Sequence, residues 1–174
     1  MIKKELRSRY PPGGVPAERT GMDPERIRAY LLSLPHAVET MQWGANLVFW
    51  VGDKTIGGKM FALVNLDRDA ARERNKTSPV ISYAAGLQRY SELLEIEGVI
   101  PAPYMARIYW VAAERWNVFR ATEWEQQLSA AHALTLNKLP PRTRAILALP
   151  PTRQKRLIAD RKKLLAAKTA AKTP

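Results

Sequence analysis

The sequence predicts an α+β fold: an antiparallel sheet packed against helices, followed by a basic C-terminal tail that is helical or disordered. Three observations lead there. Apolar residues recur at helical spacing in three separated windows, carried by Ile27 and Leu31, by Leu87, Tyr90 and Leu94, and by Trp124, Leu128 and Ala131. Between them lie short runs rich in β-branched and aromatic residues, bounded by glycine or proline. The charge is not spread evenly. Residues 1–21 carry +3, residues 22–139 hold thirteen bases against thirteen acids, and residues 140–174 hold ten bases against Asp160 alone.

Taken in order, residues 1–21 contain Pro11-Pro12-Gly13-Gly14 and Pro16 with little apolar periodicity, the pattern of a flexible arm, and Met22 stands as an alternative start. Asp23-Pro24-Glu25 then joins an N-cap, a proline at the first helical position and an acid in the first turn, so a helix runs to about Leu34, where Pro35 stops it. From Glu39 the period changes. Residues 48–51 and 60–66 read as strands, with turn chemistry at Gly52-Asp53-Lys54 and Gly57-Gly58-Lys59 between them, so two or three antiparallel strands are expected. Residues 67–78 are charged and poor in large apolar groups, the composition of a solvated loop.

After Pro79, residues 80–84 predict a short strand. A second helix follows, with Gly98 expected at its C′ position. Pro101 and Pro103 each lack an amide donor, so this segment is expected at a sheet edge or corner before Ile108, Trp110 and Ala112 alternate with Tyr109 and Val111 in a strand. Thr122 and Glu125 have the spacing of a capping box, and the third helix is expected to reach about Asn137. Pro140-Pro141 closes the globule. Beyond Pro150-Pro151, Thr152 is expected to cap a helix with a narrow stripe of Leu157, Ile158, Leu164 and Leu165, the rest almost all Arg and Lys. The expected organisation is an arm at 1–21, a domain at 22–148, and a basic helix with a Lys/Ala-rich tail at 149–174.

A chain of 174 residues with 46% hydrophobic content is sized for one domain with a sizeable core. It has no cysteine, which removes disulfides, thiolate nucleophiles and cysteine-ligated metals, and no apolar run long enough to span a bilayer. A cytoplasmic protein is expected. His36 and His132 are the only histidines and form no metal-binding spacing, and neither a P-loop nor a nucleophile elbow occurs, so no cofactor, metal or catalytic residue is assigned and no enzyme is expected.

The order helix, antiparallel strands, helix, Pro101-Ala102-Pro103-Tyr104 before a strand with Trp110-Val111, and a last helix ending in Lys138-Leu139-Pro140 resembles the MmcQ/YjbR family of small bacterial proteins. Trp43-Gly44 with Phe49 and Val51, Lys59-Met60-Phe61, Gly98 and Arg107 extend the likeness, which covers about residues 23–147. The resemblance implies an α+β "double wing" domain in which hairpins straddle DNA. It also brings a comparison with frataxin-like iron binders, against which the balanced charge of residues 22–139 argues.

DNA, bound largely without sequence preference, is the partner expected from the resemblance together with the tail, whose bases would release condensed counterions. The candidate contacts are Lys54, Lys59 and Arg107 in the core and Arg153, Lys155, Arg156, Arg161, Lys162 and Lys163 in the tail. Each has a plainer alternative: a strand-supporting ion pair for Arg107, ordinary surface lysines at 54 and 59, a solubilising tail, or a basic helix on an anionic membrane. Trp43, Trp50 and Trp110 are expected in the core, with base stacking as the other possibility. A protein- or small-molecule-interaction module built around Arg107 and Trp110 is the alternative function.

Overall fold

The computed structural model describes residues 21–66 and 78–171. All but the last residue of the expected arm, the charged segment at 67–77 and the last three residues fall outside them. Asp23 caps α1 (Pro24–Ser33) as its chemistry suggests: Oδ1 accepts the Arg26 amide at 2.9 Å, and Pro24 fills the first turn. Ile27 and Leu31, one turn apart, are fully buried. They form the stripe by which α1 docks.

Six strands follow: β1 (Ala37–Gln42), β2 (Asn46–Val51), β3 (Lys59–Asn65), β4 (Ile81–Ala84), β5 (Val99–Pro101) and β6 (Trp110–Ala113). They form one antiparallel sheet in the order β1-β2-β3-β4-β6-β5. Because β5 is an edge strand, Pro101 removes no bond from the interior of the ladder. Directly paired residues share a face, so Phe49, Ala62, Tyr83 and Val111 form one side of the sheet. Trp50 with Met60, Leu63 with Ser82, and Ala84 with Trp110 form the other. A register shift opposite Phe49 and Trp50 accommodates Phe61 as an extra residue.

The first of these faces is packed against helix. After α2 (Leu87–Leu94), α3 (Ala121–Asn137) lies across β2, β3 and β4. Its Trp124 is fully buried, 4.9 Å from the Phe119 ring and 6.3 Å from Tyr83, while the indole N–H donates to the Trp116 carbonyl at 2.8 Å. Two more helices, α4 (Pro141–Leu147) and α5 (Pro151–Ala170), pass beyond the end of the sheet.

Several local expectations are corrected. Residues 106–108 form a turn of 3₁₀ helix, and β6 starts only at Trp110, because Tyr109 takes a left-handed conformation (φ 59°) that ends the turn. Arg107 therefore sits on that turn, not on a strand. Gly98 (φ 85°) lies beyond the Glu95 cap of α2, in the turn that enters β5. The caps of α3 and α5 are Arg120 and Pro150, so Thr122 and Thr152 both fall in the first turn; Glu123 instead reaches back to accept the Arg120 amide at 2.8 Å. The proline pair at 140–141, expected only to close the globule, opens α4, since proline suits a first helical turn.

Candidate functional site

The other face of the sheet supplies the floor of a groove. Met60 and Leu63 of β3 and Ser82 of β4 lie at its base, and two connections rise on either side. One is the tight β1–β2 turn, which presents Trp43. The other is the β5–β6 connection, which presents Pro103, Tyr104 and Met105. The cleft between them has a volume of about 590 Å³. It continues into a second cleft of about 510 Å³ that shares Trp43 and Met60, is floored by Trp50, Ala84 and Trp110, and ends against Lys59 and Lys138. No carboxylate occurs in the lining of either part among the described residues.

The rim is built under local strain. Trp43 (φ 47°) and Tyr104 (φ 63°) both occupy the left-handed region, where a bulky side chain is a genuine outlier costing about 1–2 kcal/mol. Neither recovers that cost by burial: Trp43 is 64% exposed and Tyr104 fully so. Trp43 thus corrects the expectation that it joins the core, whereas Trp50 and Trp110 are buried at 8% and 4%. The signal that places it outside is Trp43-Gly44 itself. An X-Gly pair between two strands is turn chemistry, and Gly44 (φ 83°) completes it.

The basic end of the groove is fixed by the link between β2 and β3. Asp53 caps a 3₁₀ turn (Lys54–Ile56), its carboxylate accepting the Thr55 amide at 2.8 Å and the Thr55 hydroxyl at 2.7 Å. Gly58 is required by close approach, since a Cβ there would lie 1.9 Å from the Gly52 carbonyl oxygen. This geometry sets Lys54 above the Trp50 ring, 5.6 Å from its centroid, and starts β3 at Lys59. Lys59 Nζ donates to the Lys138 carbonyl at 3.0 Å, at the C-terminus of α3 where the helix dipole favours a cation. Lys138, noted in the sequence only within the motif that ends the last helix and not as a contact, thereby joins Lys59 at one place.

The same turn holds α5. Lys162 Nζ lies 3.1 Å from Asp53 Oδ2, and the Gln154 side chain donates to the Leu147 and Leu149 carbonyls at 2.9 and 2.6 Å. Burial works to raise the Asp53 pKa, but the Thr55 hydrogen bonds and the Lys162 ammonium outweigh it and hold it below the usual carboxylate value. Gln154 and Ile158 are the part-buried side of α5. At about 100° per residue, Arg156 and Lys163 lie opposite them, with Arg153 and Lys155 on the flanks. Arg161 lines the crevice between α4 and α5, and Lys162 is engaged with Asp53. The six tail candidates therefore divide into two that face outward, two on the flanks and two turned toward the body.

Arg107 is exposed and forms no hydrogen bond or ion pair among the described residues. It does not line the groove, although its neighbour Ile108 does. The structure thus gathers Lys54, Lys59 and α5 at one end and leaves Arg107 on the outer rim. His132, by contrast, is a core residue: it is buried, meets Phe61 edge-on at 5.2 Å and bonds the Pro35 carbonyl through Nε2 at 2.8 Å. No cluster of metal-ligating side chains occurs among the described residues, and none of their helices is long and apolar enough to cross a membrane.

A family model described as YjbR matches residues 32–134. Among solved structures, the chain is similar to Deinococcus radiodurans protein DR2400, described as carrying family-model domain DUF419, with a TM-score of 0.58 and 23% identity over 72% of this chain and 88% of that one. At that identity the likeness concerns the fold. No curated protein matches the chain.

Proposed function

We propose that this chain, which belongs to the YjbR family, binds DNA largely without sequence preference, in the cytoplasm and with no catalytic step. One observation supports this reading above the others. The basic end of the groove at Lys59 and Lys138 adjoins the turn to which α5 is held through Asp53 and Lys162, so the lysines of the groove and the bases of α5 lie on either side of one turn. Phosphates would be engaged by the outward and flanking bases of α5, with Lys54 and Lys59 extending the track onto the sheet. The two projecting connections play the part of wings. Arg107 stands outside this track and serves at most as a rim contact.

The test is fluorescence anisotropy of the full-length chain with labelled DNA, duplex and single-stranded, across a salt series. Binding that weakens linearly in log K against log salt is expected, and no binding to either form at low salt rejects the reading. A second reading, a protein- or small-molecule-interaction module, is favoured by the apolar lining of the cleft between Trp43 and Tyr104. Such a module binds no oligonucleotide in the same titration.

A further inference from the structure

The cleft on the groove-bearing face of the sheet has chemistry that phosphate binding leaves unused. We infer that it receives an unpaired nucleobase from a single strand, with Trp43 and Tyr104 as the stacking surfaces. This rests on the proposed nucleic-acid function and deepens it, because a duplex has no base free to enter.

The argument begins with the two aromatics. A solvated tryptophan and a fully solvated tyrosine, both in left-handed backbone, bring no packing benefit to the fold that holds them out. They stand on separate connections yet border one cleft, over a floor of Met60 and Leu63. A flat ring lying there covers apolar surface on the floor and meets an aromatic face at the rim. The volume of about 590 Å³ falls within the range of ordinary ligand sites. Asn46, Asn65 and Ser82 add polar atoms to an otherwise apolar lining, as the edge of a base requires.

Charge then selects the occupant. A neutral apolar ligand has no use for lysines, and an acid-free lining that ends at Lys59 and Lys138 matches a ring that carries a phosphate chain. Base–aromatic stacking tolerates sequence because every base has a π-face, which agrees with binding that lacks sequence preference. The continuity of the two clefts through Trp43 and Met60 gives the strand a path toward α5.

The experiment compares three probes on the full chain at fixed salt: a short oligo(dT), the same strand with abasic linkers, and a hairpin duplex. Oligo(dT) is expected to bind about 5- to 150-fold more tightly than the abasic strand for each stacked base. Trp43→Ala and Tyr104→Ala should each narrow that difference while leaving the salt slope and the thermal midpoint unchanged, since both side chains are exposed. Tyr104→Phe should retain the difference. Equal binding of oligo(dT) and the abasic strand, or a difference untouched by both alanine variants, overturns the inference. Binding to the duplex alone also overturns it while sparing the wider DNA reading; binding to none of the probes removes both.

Discussion

The division of the α5 bases among the sides of the helix leads to a quantitative prediction. Replace Arg153, Lys155, Arg156 and Lys163 together by glutamine, a residue that keeps helix propensity close to that of lysine and arginine. In the structure Arg156 and Lys163 lie opposite the side of α5 that carries Gln154 and Ile158, and Arg153 and Lys155 lie on its flanks. Every duplex phosphate that a side chain no longer neutralises lowers the slope of log K against log salt by about 0.9, so four give a change of about 3 to 4. At about 0.1 M salt the same arithmetic makes each neutralised phosphate worth about eightfold in affinity. The matched control is Arg161→Gln with Lys162→Gln, which removes the base in the α4–α5 crevice and the one held by Asp53. That pair should change the slope by less than about 1. Anisotropy titrations at several salt concentrations measure both. Equal slope changes from the two sets, corrected for their number, would refute the assignment of faces, and no change from the quadruple variant would refute α5 as the phosphate-binding element.

Three further predictions concern the scaffold. The Tyr83 hydroxyl is buried with no hydrogen-bond partner among the described residues, and burial raises its pKa; Tyr83→Phe should therefore stabilise the fold by about 1 kcal/mol in urea unfolding, and a drop in stability would show that the hydroxyl has a partner after all. Gly58→Ala forces a Cβ into the Gly52 carbonyl and should cost about 3 kcal/mol, read from the same unfolding midpoint; a neutral effect would mean that the β2–β3 link is far less tight. Burial lowers the His132 pKa, with His36 adding to the effect against the opposing hydrogen bond to Pro35. The unfolded chain, titrating near about 6.5, takes up the proton first, so this contribution to stability is complete above that pH and is lost as pH falls toward the lower folded value. His132→Gln should flatten the acid side of the stability profile, and an unchanged profile would exclude His132 as its source.

Much of the fold is legible residue by residue. Asp23-Pro24 fixes where α1 starts, and the Pro101 that must avoid a central strand is found on the edge strand. The misplacements have local causes. Thr122 has the right chemistry for a cap, but Glu123 reaches the Arg120 amide and sets the start of α3 at Ala121. Alternation through residues 108–112 suggests a longer strand, and the left-handed Tyr109 interrupts it. A period-two pattern cannot register such a reversal of φ, because it sees only which residues are apolar.

The sequence by itself determined the α+β class, the neutral body, the basic last helix and the family likeness, because composition, periodicity and turn residues are local properties. Which face of the sheet bears the groove was decided only by the tertiary structure. Phe49 and Trp50 are neighbours in one strand, equally hydrophobic to a pattern and both buried; the side of the sheet on which α3 lies sets Phe49 under the helix and Trp50 in the floor of a groove. The placing of Trp43 and Tyr104, sixty-one positions apart, on one cleft and of Lys59 against Lys138 arises from strand order and helix packing, and neither can be read from spacing along the chain.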